Sequence, residues 1–274
     1  MIDAHFHCWR VDRGDYGWLT PALGSIYRDV SVEDWAREAR PLGVAAGVLV
    51  QAAPTEAETA FLLAQAARHD AVRGVVGWLD LLARDAPERI ARLAAAEPKL
   101  KGLRPMLQDI DDTDWILQPG LAPALQAMAS HGLVFDALVQ PRHLSLLPTL
   151  CERHPTLQIV IDHGAKPDIA HAQWQPWADD LRRLARDSSA VCKLSGLVTE
   201  AGPCPASGAA RRWAEHLLDC FGAQRVLWGS DWPVLERATS YRRWWEDVQA
   251  LIAPLPADER GAVLGVNARR VYGL

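Results

Sequence analysis

Apolar residues fall along this chain in short, nearly unbroken runs, and longer stretches in which they return every three to four residues lie between them. The runs are MIDAHFH (1–7), GVAAGVLVQ (43–51), VRGVVGWLD (72–80), LKGLRP (100–105), GLVFDALVQ (132–140), LQIVIDH (157–163), AVCKLSG (190–196) and RVLWGSD (225–231). Between them EAETAFLLAQAARH (56–69) sets Phe61, Leu62, Gln65 and Ala66 at helical spacing. PERIARLAAAE, LAPALQAMASH, LPTLCERH, WADDLRRLARD, ARRWAEHLLDCF and SYRRWWEDVQALI repeat the pattern. Near-continuous apolar runs suit parallel strands covered on both faces, and their alternation with helices implies βαβ crossovers. Eight strands predict one domain over 1–274, a (β/α)8 (TIM) barrel, regular or distorted. The rival is a doubly wound open sheet, but neither GxGxxG nor GxxxxGK[ST] occurs to support it. The longest irregular pieces, 8–30 and 197–207, both follow strand ends, where barrel loops cover the mouth.

The carboxyl end of almost every run is polar. His5 and His7 end the first, Gln51 the second, Asp80 the third and Arg104 the fourth. Asp136 lies in the fifth with Gln140 beyond it, Asp162 and His163 end the sixth, Lys193 and Ser195 sit in the seventh, and Ser230 and Asp231 end the eighth. Residues i and i+2 of a strand share a face, so His5 and His7 point one way and Phe6 the other. Two imidazoles on an apolar strand need a polar companion: a metal, a substrate oxygen or a carboxylate. A barrel would bring all these groups to one mouth. Structural readings stand beside the functional ones. Lys193, inside an apolar run, suits a mouth-facing cation or a structural ion pair. Arg104 suits a substrate contact or pairing with a neighbouring acid, and Asp162 a structural hydrogen bond. His69, His131, His154, His171 and His216 fall in helical stretches or at their ends and read as surface or capping residues.

Composition narrows the partners. The chain is 49% hydrophobic and 23% charged, with a net charge of -5, which argues against nucleic acid or an anionic membrane as partner. Five cysteines (Cys8, Cys151, Cys192, Cys204 and Cys220) form no CxxC and read as reduced thiols. No signal-peptide pattern precedes the first run and no apolar stretch is long enough to span a bilayer, so a cytoplasmic protein is expected. Of the twelve tryptophans most are expected in the core, and some beside a ring-shaped substrate.

His-x-His on the first strand, a histidine ending the sixth and GSDWP ending the eighth resemble the amidohydrolase superfamily. HFHCWRVDRGDYGWL, QAAPTEAETAFLL, GLRPMLQD, VFDALV, IDHGAKP, VCKLSGLVTEA and VLWGSDWPV resemble, block after block, its branch of sugar-lactone and pyrone-dicarboxylate hydrolases. VCKLSGLVTEA is most similar to L-fuconolactonase-like members. The resemblance implies a hydrolase that opens a sugar aldonolactone of L-fucono, L-galactono or L-rhamnono type. A pyrone-dicarboxylate or muconolactone hydrolase, and a metal-dependent amide hydrolase or decarboxylase of the same fold, are the alternatives. Metal-rich members carry a lysine on strand 4 and a histidine on strand 5, where this chain has Arg104 and Asp136. The resemblance therefore implies no metal, or one zinc held among His5, His7, His163 and Asp231. It makes Asp231 the general base and the three histidines, or their zinc, the stabilisers of the oxyanion. Arg104, Lys193, Gln51 and Asp136 are expected on the substrate's oxygens, and Trp9 and Trp232 beside its ring. The expected partner is a small-molecule lactone, with self-assembly into a homo-oligomer left open.

Overall fold

The computed structural model describes residues 1–203, 205–206 and 208–274; Cys204 lies outside the described residues. Strands form in all eight apolar runs: β1 (Ile2–Phe6), β2 (Ala46–Val50), β3 (Val72–Gly77), β4 (Leu100–Leu103), β5 (Val134–Ala137), β6 (Ile159–Ile161), β7 (Val191–Leu194) and β8 (Val226–Trp228). They are parallel, and their order in the sheet is their order in the chain. Most strands stop one to three residues short of the polar end of their run. Gln51, Arg104, His163 and Asp231 thus leave the ladder just where it opens onto the mouth.

Helices occupy the crossovers. α1 (Val32–Ala39) starts at a Ser31/Asp34 capping box, in which the Ser31 hydroxyl accepts the Asp34 N–H and the Asp34 carboxylate accepts the Ser31 N–H. The seven periodic stretches follow as α2 (Glu56–Arg68), α3 (Ala86–Ala96), α4 (Ala122–Ser130), α5 (Leu147–Arg153), α6 (Trp177–Asp187), α7 (Arg211–Phe221) and α8 (Tyr241–Ile252). Two short helices, α9 (Ala257–Gly261) and α10 (Asn267–Tyr272), end the chain. No helix among the described residues is long and apolar enough to cross a membrane.

Two apolar layers hold the barrel. The outer one lies between strands and helices, as where Phe6 stacks on Trp35 of α1 with ring centroids 4.1 Å apart. Full burial of such a ring stabilises the fold by about 1.5–3 kcal/mol. The inner one fills the barrel with Ile2, Ala4, Val48, Val134, Val160 and Leu227, and α10 closes its lower end with Ala268 and Tyr272.

β1 changes parity on the way up. Ile2 and Ala4 belong to the inner layer and Phe6 to the outer, and the register with β2 shifts between Asp3 and Phe6. That irregularity turns both apolar residues below and both histidines above toward the barrel axis. It leaves the Asp3 side chain outside, where it accepts four hydrogen bonds. These come from the N–H groups of His5 (3.1 Å) and Ser230 (2.8 Å), the indole of Trp35 (2.9 Å) and the hydroxyl of Tyr241 (3.0 Å). Main-chain bonds from Asp231 N–H to His5 O and from His7 N–H to Trp232 O, each 2.8 Å, complete the seam between β1 and the end of β8.

Candidate active site

The local backbone that presents the site is strained. His163 (φ 54) and Asp231 (φ 58) are left-handed non-glycine residues, a conformation that persists only where surrounding contacts enforce it. Glycines make the room. A Cβ on Gly196 would lie 2.4 Å from His163 Nδ1, and one on Gly229 would lie 2.8 Å from His5 Cβ. The GSD and KLSG blocks therefore need glycine to let neighbouring strand ends crowd around the histidines.

At the mouth of the barrel is a cavity of ≈ 450 Å³. His7, Arg104, His163 and Asp231 line its floor. Asp231 Oδ1 is 3.3 Å from His7 Nε2, 3.6 Å from His5 Nε2 and 3.9 Å from His163 Nε2. His5 Nε2 and His7 Nε2 are 3.2 Å apart. His7 Nδ1 donates to Val50 O at 2.8 Å, and His163 Nδ1 meets the Ser195 hydroxyl at 2.9 Å. Burial drives His163 down to about 4, against the attraction of Asp231 and Asp162, so its imidazole is neutral near pH 7. His5 is driven well below its ordinary value by burial and by the Lys193 ammonium, against Asp162. Burial pushes Asp231 up, but His163, the hydrogen bond with His7, and His5 outweigh it and hold the carboxyl below its usual range.

These atoms fit a cation. Ligand atoms of His5, His163 and Asp231 lie within 4.8 Å of one another. His7, in its neutral form, offers a lone pair on Nε2, because its Nδ1–H is committed to Val50. Neutral imidazoles and a carboxylate converging with more lone pairs than protons form the N/O donor set of a single zinc. Among the described residues a second ion has no comparable set: Asp136 is taken by Lys193 at 2.5 Å and by Tyr272, whose hydroxyl lies 2.9 and 3.0 Å from the two oxygens.

The remaining residues separate into wall and support. Arg104 reaches the cavity, yet its guanidinium also donates to Asp162 Oδ2 at 3.1 Å and to Gln51 O. Lys193 does not reach it. Its ammonium is wholly buried beneath His5, against Asp136 and against Asp162 Oδ1 at 2.9 Å. This is the structural ion pair, formed because an apolar interior tolerates an ammonium only beside carboxylates. Burial raises Asp136 to about 6 despite Lys193, whereas Asp162, facing Lys193, His5 and Arg104, is pulled well below its usual range against burial. Gln51 is buried and donates to Arg104 O at 2.7 Å. Trp9 is buried with its indole on Arg28 O, and its ring meets Trp18 edge-on. Trp232 is buried with its indole on Glu236 at 2.8 Å. Neither indole lines the cavity.

Residues from the loops replace them on the wall. Trp18 and Leu23 come from the piece after β1, Gln108 and Met106 from the piece after β4, and Lys166, Thr199 and Glu200 from those after β6 and β7. Lys166 and Glu200 pair at 2.8 Å. Spacing carries no signal for such residues, since a loop has no period from which to read direction. Of the helical histidines, His216 is buried rather than at the surface. It packs among Trp174 and Trp177, and its Nε2 lies 2.9 Å from Ala178 O.

Known proteins resemble this chain over its whole length. The L-fucono-1,5-lactonase of Burkholderia ambifaria is 45% identical over 99% of this chain and 94% of its own length. The L-fucono-1,5-lactonase of Burkholderia multivorans is 35% identical over 100% of this chain and 96% of its own. The crystal structure of an amidohydrolase from Burkholderia multivorans with bound zinc superposes with a TM-score of 0.93 at 36% identity, covering 100% of this chain and 99% of that one. The amidohydrolase family model matches residues 2–274, and with the barrel, the histidine cluster and these relatives in agreement, the chain belongs to the amidohydrolase family.

Proposed function

We propose that this protein is a lactonase that opens the ester ring of a six-carbon sugar aldonolactone, with the L-fucono configuration as first choice. The observation that carries this reading is Asp231 Oδ1, set 3.3–3.9 Å from three imidazole nitrogens on the floor of the cavity. That constellation can activate water beside polar groups able to hold a carbonyl oxygen. The names of two curated relatives support the substrate class. The cavity's size falls in the usual range for small-molecule sites, roughly 300–1,000 Å³.

Asp231 accepts a proton from water as the water oxygen bonds to the lactone carbonyl carbon. Arg104 and the histidines face the oxyanion that develops there. Collapse of the tetrahedral intermediate breaks the bond between carbonyl carbon and ring oxygen, and the proton held by Asp231 passes to the departing oxygen. The product is the open hydroxy acid. His5, His7, His163 and Asp231 are the residues that would hold zinc, which when bound supplies Lewis-acid polarisation of an oxygen.

The di-acid alternative needs fixed cations for two carboxylates. Lys193 is buried and paired, Arg104 is shared with Asp162, and Lys166 is paired with Glu200, so that Arg237 is left as the one cavity-lining cation without a carboxylate partner among the described residues, too few for two carboxylates. A neutral, hydroxyl-rich ring matches this balance better, because paired charges offer it donors and acceptors together. The test compares kcat/KM for L-fuconolactone and for pyrone dicarboxylate. The sugar lactone is expected to win. A tenfold preference for the di-acid, about 1.4 kcal/mol of transition-state binding, would overturn the proposal.

A further inference from the structure

His5 meets polar groups at both ring nitrogens, and a neutral imidazole has one N–H for the two. At Nδ1 stand the Lys193 ammonium, 3.1 Å away, and Asp162 Oδ1, 3.5 Å away. At Nε2 stand His7 Nε2 at 3.2 Å, the Arg104 guanidinium at 3.5 Å and Asp231 Oδ1 at 3.6 Å. An ammonium only donates, so a hydrogen bond from Lys193 needs a lone pair on Nδ1 and leaves the proton on Nε2. His7 gives an independent constraint. The Val50 carbonyl only accepts, so His7 Nδ1 carries its proton and neutral His7 presents a lone pair at Nε2. The shortest contact on each side of His5 therefore selects the same form, with Nε2–H directed toward His7. The opposite form draws on the two longer contacts, Nδ1–H to Asp162 and Arg104 to Nε2, both 3.5 Å and at the outer limit of a hydrogen bond.

Lys193 is held where it can decide this. It is fully buried, bound to Asp136 at 2.5 Å, beside Asp162 and 5.5 Å from the centre of the Tyr272 ring. Asp162 Oδ1 is a buried acceptor with no well-directed hydrogen bond, so it is the group ready to take the His5 proton in the other form. We propose that Lys193 is a positioning residue that holds His5 as the Nε2–H tautomer, making His5 a hydrogen-bond donor under the site and withholding its Nε2 lone pair from a metal ion. A zinc ligand needs that lone pair. Freeing it means moving the proton to Nδ1, where Lys193 opposes it and Asp162 accepts it. The ammonium thereby sets how tightly the cluster holds metal.

The inference rests on reading this cluster as a metal-competent hydrolytic site, but its first test uses neither metal nor turnover. Long-range 1H–15N correlation of the histidine rings reports the tautomer in metal-free wild-type protein, with His5 assigned by comparison with H5N. The Nε2–H pattern is expected, and an Nδ1–H pattern overturns the proposal. The second test measures zinc affinity by competition with a chromophoric chelator for wild type, K193M and K193M/D136N. The double variant removes one charge of each sign and keeps an acceptor for Tyr272, so it separates tautomer choice from net charge. Zinc binding is expected to tighten about 10–100-fold in both variants, the scale on which outer partners of ligating histidines act. Unchanged or weaker binding by folded K193M/D136N overturns the proposal. Failure of the lactonase reading would show instead as wild-type protein that does not hydrolyse lactones, which neither measurement reads.

Discussion

In the proposed mechanism Asp231 is the residue on which hydrolysis turns. Its carboxylate lies on the floor of the cavity beside three imidazoles, and its N–H is tied to His5 O, which fixes the left-handed turn that aims it. D231N keeps the shape and removes the base. It is expected to lower kcat about 10²–10⁴-fold, measured with a pH indicator on a lactone substrate. A folded variant retaining more than a tenth of wild-type kcat would remove Asp231 from the role. The same cluster limits metal. Three N/O donors, from His5, His163 and Asp231, converge within 4.8 Å of one another with His7 Nε2 3.3 Å from Asp231, while Asp136 is locked by Lys193 and Tyr272. Elemental analysis after gentle purification is expected to find no more than one zinc per chain; two equivalents would contradict this. Sequence made the cluster of His5, His7, His163 and Asp231 legible because these residues sit at strand ends, where position determines direction. It could not separate Arg104 at the cavity from Lys193 beneath it. Both are cations in or at the end of an apolar run, and which one reaches the cavity depends on where Asp136 and Asp162 stand across the barrel.

Among elements, strands and most helices were legible because each buries a continuous face with its own period. α1 was not, because it is only eight residues long, although Val32, Trp35, Ala36 and Ala39 bury a face at helical spacing behind the cap at Ser31. The long loop after β1 was recognisable as a cover, but what fastens it was not. Glu58 on α2 is the fastening: it accepts the Tyr16 hydroxyl at 2.6 Å and the Ala52 N–H at 3.0 Å, and Arg13 lies 3.3 Å away. Ala52 O in turn accepts the indole N–H of Trp18, which lines the cavity. Burial raises Glu58 to about 7 from an ordinary 4.5, against the pull of Tyr16, Ala52 and Arg13. The folded chain thus holds this proton more tightly than the unfolded chain. The stabilisation is complete below pH 4.5 and is lost as pH rises through 7, by a few kcal/mol at most. E58Q, which keeps one acceptor for Ala52 and offers a donor to Tyr16, is expected to flatten this part of the stability curve. Denaturant titrations of both proteins from pH 4.5 to 8 check it, and parallel curves would show that Glu58 is not the group responsible.

In the whole molecule, the proposed base Asp231 stands with His5 and His7 on the seam where the barrel closes, and one side chain clasps that seam. Asp3 binds β1 through His5, the end of β8 through Ser230, α1 through Trp35 and α8 through Tyr241. It lies within the MIDAHFH run and reads there as a strand residue, because its partners are as much as 238 positions away and only closure gathers them. D3A would leave two main-chain N–H groups, an indole and a hydroxyl without their acceptor in a water-free place. Loss of a buried, multiply bonded charge costs roughly 3–5 kcal/mol, enough to lower Tm by about 10 °C in a chain of this size. D3N should cost less, because its carbonyl still accepts both main-chain N–H groups and its amide can donate to Tyr241, leaving only Trp35 unmatched. Closure and chemistry share the bonds from Asp231 N–H to His5 O and from His7 N–H to Trp232 O. D3A is therefore expected to lose kcat even where circular dichroism shows it folded, while D3N keeps most of it. Stability of D3A within 1 kcal/mol of wild type, about a fivefold change in the unfolding equilibrium, would mean that the barrel closes without this clasp.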